Sequence, residues 1–62
     1  MTNIELIGTF YIEENRYAIG WDKKTYNVYI SMDAVYIRWI DTLENATTED
    51  EAIFLAKKYK KN

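Results

Sequence analysis

Two runs in the middle of the chain alternate with a period of two, and that alternation constrains the fold more than any other feature. The stretch Tyr26–Ile40 reads YNVYISMDAVYIRWI. In its first run Tyr26, Val28, Ile30 and Met32 share one side, against Asn27, Tyr29 and Ser31 on the other. In its second run Val35, Ile37 and Trp39 share one side, against Tyr36, Arg38 and Ile40. β-branched and aromatic residues suit a pleated, half-buried surface, so both runs are predicted strands. Asp33-Ala34 stands between them as the expected turn.

The same reading extends outward. Over Asn3–Glu13, Ile4, Leu6, Gly8, Phe10 and Ile12 alternate with Glu5, Ile7, Thr9, Tyr11 and Glu13, which predicts a first strand. Gly8 in mid-strand signals a bulge or the close approach of another element. Glu14-Asn15 is the expected hairpin turn, with Asn15 at positive φ. Arg16–Asp22 is the second strand, and the polar Asp22–Thr25 leads into the central hairpin. Short connections pair neighbouring strands, so four of them make an antiparallel meander.

Asp41–Thr48 breaks the alternation and reads as a loop. A helix is predicted from about Thr48 to Lys61. Thr48 and Glu51 have capping-box spacing, acids fill its first turn and lysines its last. Ala52, Leu55, Ala56 and Tyr59 recur at i, i+3, i+4 and i+7 as one apolar stripe, with Ile53 at its border. That stripe needs an apolar sheet face. The face expected to supply it carries Ile4, Leu6, Phe10, Ile12, Tyr17, Ile19, Trp21, Tyr26, Val28, Ile30, Met32, Val35, Ile37 and Trp39. The expected fold is therefore a single α+β domain over residues 1–62, a four-stranded antiparallel β-meander followed by one C-terminal α-helix packed on one sheet face (ββββα).

Composition excludes several kinds of chemistry. The 62 residues contain neither Cys nor His. Disulfides, thiolate metal sites and cysteine nucleophiles are ruled out, and the usual zinc ligand and general base are missing. Glu13 and Glu14 are adjacent on an extended chain and diverge. No phosphate-binding glycine loop is present. The expectation is a protein that is not an enzyme and uses no cofactor or metal. The start lacks a signal-peptide pattern and no apolar run approaches a membrane span, so a cytoplasmic protein without a membrane partner is expected. So small a core favours oligomerisation, and a homodimer is expected.

The second sheet face supplies the candidate site. With a helix on one side only, it is expected to face water and to carry Ile7, Tyr11, Ala18, Tyr29, Tyr36 and Ile40 beside Arg16 and Arg38. Tyr and Arg dominate binding hot spots. Phe54 lies opposite the apolar helix stripe and is a second candidate contact. The partner-binding residues are thus expected to be Tyr11, Tyr29, Tyr36, Arg38, Ile7, Ile40 and Phe54. The leading functional expectation is a small protein-binding module, of the kind a phage or mobile element encodes to modulate or inhibit a host protein. One alternative is a nucleic-acid binder using stacking tyrosines, Arg16, Arg38 and the lysines at the C-terminus, against which the net charge of −2 weighs. Another is a structural homodimer or assembly subunit.

The stretches NRYAIGWDKKTYNVYIS and TTEDEAIFLAKKYKK loosely resemble the arm-type DNA-binding domains of phage integrases, small three-stranded sheets followed by a helix. The likeness covers about half of the chain. It departs where such a domain carries several Lys and Arg on its sheet, and where a long acidic loop here precedes the helix. No function is transferred from it.

Overall fold

The computed structural model describes residues 3–61. Its elements run β1 (Glu5–Ile12), β2 (Asn15–Trp21), β3 (Asn27–Ser31), β4 (Ile40–Asn45) and α1 (Glu49–Lys61), and the four strands form one antiparallel sheet in chain order. The ββββα architecture is as the sequence predicts, with α1 packed on the sheet.

β1 and β2 pair from Glu5↔Trp21 to Ile12↔Asn15. Their turn is Glu13-Glu14, one residue earlier than expected, and Glu13 rather than Asn15 takes the left-handed conformation, at φ 57°. Asp22 organises the next connection. Its Oδ1 accepts the backbone N–H groups of Lys24 at 2.9 Å and Thr25 at 3.4 Å. Its own backbone joins Tyr26 and Asn27, with Tyr26 N–H donating to Asp22 C=O at 2.6 Å. A side-chain oxygen that caps backbone donors is a standard way to close such a loop.

A bulge interrupts β1 between Leu6 and Gly8, where Gly8 signalled it. One extra residue reverses the in-out parity of everything before it. Leu6 therefore stands opposite Gly20, on the face away from the helix, and is 51% exposed. Ile7 turns inward and packs against the core. Both assignments reverse the sequence expectation, which put Leu6 inside and Ile7 outside.

The largest correction concerns β4. Val35–Trp39, expected as the fourth strand, is not a strand, and β4 occupies Ile40–Asn45 instead, pairing Ile30↔Ile40, Tyr29↔Asp41 and Asn27↔Asn45. The physical reason is competition for backbone donors. Asp33 Oδ1 accepts from Val35 N–H at 2.7 Å and Tyr36 N–H at 3.1 Å. Ser31 Oγ accepts from Arg38 N–H at 3.0 Å and donates to Asp33 C=O at 2.7 Å. Groups that a ladder would need are held locally. β4 is in turn an irregular strand fixed by polar side chains. Thr42 Oγ1 donates to Val28 C=O at 2.7 Å, and Asn45 Nδ2 donates to Asn27 Oδ1 at 2.7 Å. Its register shifts opposite Val28, and Leu43 sits at φ 65°.

α1 begins as predicted. Thr48 Oγ1 accepts Glu51 N–H at 3.2 Å, and the Glu51 carboxylate reaches back to Thr47 N–H at 2.9 Å. The stripe of α1 lies on Ile19, Trp21, Val28 and Ala46 through Ala52 and Ala56, whose small side chains let the helix axis come close. Leu55 and Ile53 complete the contact, and Tyr59 lies at its margin. Trp21 Nε1–H is satisfied by Ala46 C=O at 3.0 Å. At the rim, the Phe10 and Tyr17 rings are 5.4 Å apart, and Lys60 Nζ lies 5.3 Å from the centre of Tyr17.

Candidate functional site

The sheet face away from α1 is not the open tyrosine surface that alternation suggests. Its floor is made of small side chains: Ala18, Gly20 and Ser31, with Ala18 and Ser31 almost fully buried. Residues 32–39 fold back from Ser31 so that Trp39 lies on Gly20. A Cβ on Gly20 would fall 2.5 Å from Ile4 Cγ2 and 2.8 Å from the Trp39 ring, so indole and isoleucine rest directly on the glycine. Trp39 and Ile4, both expected beneath the helix, are thus on the opposite face.

The segment doing the covering is anchored by two short side chains. Ser31 holds its two ends through Asp33 and Arg38. Asp33 holds its middle. The Val35 and Tyr36 N–H bonds keep the Asp33 carboxyl below the usual carboxylate range, burial opposes them, and the Arg16 charge adds a smaller lowering. The Asp22 carboxyl is lowered likewise, chiefly by the Lys24 N–H bond.

The expected partner-binding residues divide into four groups. Tyr36, Arg38 and Ile40 come together with Met32, Asp33 and Trp39 around an open groove of about 450 Å³. Tyr11 and Tyr29 stay on the sheet. Tyr11 is exposed opposite Arg16 on the edge pair, while Tyr29 is half-buried opposite Gly20. Ile7 is part of the helix side and leaves the set as a surface residue. Phe54 is exposed on α1, away from the sheet, as the helical wheel indicates.

Alternation also hid part of the surface. Val35, Met32 and Ile37 were expected in the core, yet Val35 is 72% exposed and the other two are open to solvent. The available signal was the Ser31-Met32-Asp33 spacing, in which two capping side chains stand at the start of the expected turn, ahead of Val35–Trp39.

Among the described residues no three His, Cys, Asp or Glu side chains gather as a metal site, and no helix is long and apolar enough to cross a membrane. The fold and surface together define a class: a small α+β meander with one face sealed by a helix and the other by a folded-back segment. Comparison with protein-family models, with curated proteins and with solved structures finds no match.

Proposed function

We propose that the protein is a small, non-enzymatic binding module that engages another protein stoichiometrically through its Met32–Ile40 segment. One observation carries this reading. Within nine residues Met32, Val35, Tyr36, Ile37 and Ile40 all expose large apolar side chains, Tyr36 to 78%. In so small a chain, apolar residues left out of the core and clustered in one segment, with Met32, Tyr36 and Ile40 lining a groove, mark a contact surface. Tyr36 and Arg38 are the residue types that anchor interfaces. The Ser31 and Asp33 bonds hold the segment in place before binding, which lowers the ordering cost of association. A modulator of a host protein, encoded by a phage or mobile element, is one form such a module takes.

The test is capture from bacterial lysate, run with and without nuclease, with the wild-type chain and with Val35→Ser/Tyr36→Ser side by side. A protein retained by the wild type and lost by the variant, whose circular dichroism is unchanged, supports the reading. Equal retention by both removes it. Retention that disappears on nuclease treatment and weakens steeply with salt would establish the nucleic-acid alternative, with Tyr36, Arg38 and Arg16 as its contacts.

A further inference from the structure

α1 has a second stripe that the core does not use. Asp50, Glu51, Phe54, Lys57, Lys58 and Lys61 share one helical face by their three- and four-residue spacings, and all six are exposed. Phe54, 64% exposed, stands at the middle, and with the three lysines it borders a shallow groove of about 310 Å³. Acids lie on its N-terminal side and lysines on its C-terminal side. Opposite charges stabilise a helix at separations of three or four residues. Here the closest acid and lysine on the stripe are Glu51 and Lys57, too far apart along the helix to pair. Among the described residues the one ion pair, Lys23 with Glu5, lies outside α1. The helix dipole accounts for the charge order. It asks nothing of an exposed phenyl ring at the centre.

We propose that this stripe is a self-association surface, on which two copies pack their α1 helices antiparallel across a two-fold axis beside Phe54. The occupant follows from charge complementarity. Reversing a second helix lays its lysine half on the acidic half of the first, and its acidic half on the lysines. Glu51 then faces Lys58 of the second copy, and Asp50 faces Lys57 of the second copy, each pair occurring twice by symmetry. The two Phe54 rings meet at the axis. A parallel arrangement would instead set acid against acid and lysine against lysine. The contact spans one helix of 13 residues, so it is smaller than the roughly 1,200 Å² at which stable interfaces begin, and the dimer is weak and salt-sensitive. α1 covers one sheet face and residues 32–39 the other, so pairing through α1 leaves the Met32–Ile40 segment of each copy free. This inference stands whether or not that segment binds a partner.

The test is sedimentation equilibrium up to about 1 mM protein, at salt concentrations from about 50 mM to about 500 mM. The expected result is a monomer–dimer equilibrium that weakens as salt rises. Phe54→Ser, an exposed change that leaves the fold intact by circular dichroism, weakens it about tenfold. Lys57→Glu weakens it by a similar factor at low salt, about tenfold, by placing two acids together. Adding Asp50→Lys to Lys57→Glu restores it, because the pair is re-formed with its signs exchanged. A monomer at every concentration, a dimer indifferent to Phe54→Ser, or a double swap that fails to restore association would each overturn the proposal.

Discussion

The two faces of one sheet are closed in different ways. On one, α1 seals Ile19, Trp21 and Val28 by apolar contact, with Ala52 and Ala56 fully buried at the join. On the other, Trp39 and Ile4 rest on Gly20, and the segment that carries Trp39 has no regular structure and is held by side-chain-to-backbone hydrogen bonds from Ser31 and Asp33. The first closure consumes its large apolar residues. The second leaves Met32, Val35, Tyr36 and Ile37 outside. In so small a domain the helix side therefore supplies most of the stability, and the segment side is where apolar surface remains for a partner.

The contrast breaks most visibly at Ile19. Ile19→Ala removes a fully buried side chain beneath α1 and is expected to cost about 3 kcal/mol, enough to unfold much of so small a domain. Urea denaturation measures it, and a loss below about 1 kcal/mol would mean that the helix side is not the main core. Gly20→Ala tests the other closure. The added methyl must displace the Trp39 ring or Ile4, at a cost of about 1–2 kcal/mol. The Trp39 indole resonance should move in the amide spectrum while that of Trp21, bonded to Ala46, stays in place. An unshifted Trp39 would show that the segment does not rest on Gly20.

A smaller effect separates the faces by pH. The Asp33 and Asp22 carboxyls titrate below their unfolded value of 3.8 because backbone N–H groups bond the charged form. The unfolded chain takes up protons first on acidification. The stability these groups contribute is thus complete above about pH 5 and is lost as pH falls through about 4 and below. Asp33→Asn is expected to flatten that loss and to speed hydrogen exchange at the Val35 and Tyr36 amides, leaving the core amides of β2 unchanged. An acid profile identical to wild type would show that Asp33 does not hold the segment.

Much of the helix side was legible in the sequence. The Thr48 cap follows from its capping-box spacing to Glu51, and the Ala52/Leu55/Ala56 stripe and the exposure of Phe54 follow from a 3.6-residue period that nothing interrupts. The first hairpin and the Gly8 bulge were legible as well, but the reversal of parity that the bulge brings does not show in the alternation. A strand read at constant parity puts Ile7 and Leu6 on the wrong faces. The segment side departs from alternation because alternation reports propensity, and propensity is silent about which groups capture the backbone donors. Val35–Trp39 has the better strand composition, yet Asp33 and Ser31 hold its amides. Ile40–Asn45 has turn-like composition, yet Thr42 and Asn45 tie it to β3. The surface around Tyr36, Arg38 and Ile40 depends on that exchange and could not be assembled from period alone.

Glu13 offers the control that should disturb neither face. It holds φ 57° in the β1–β2 turn with its side chain in solvent. An L-residue with a long side chain carries a cost of about 1 kcal/mol in that region, which asparagine largely avoids. Glu13→Asn is therefore expected to stabilise the protein by about 0.5 kcal/mol. The Trp21 and Trp39 resonances should both stay where they are, since Trp21 and the Gly20 on which Trp39 rests lie at the opposite end of the β1–β2 hairpin from the turn. If the substitution destabilises instead, the turn is not strained at Glu13 and the hairpin register differs by a residue, as an Asn15-centred turn would require. If it stabilises but moves Trp39, the two closures are coupled through β1, and the bulge that carries Leu6 and Ile4 to the far face is the place where they meet.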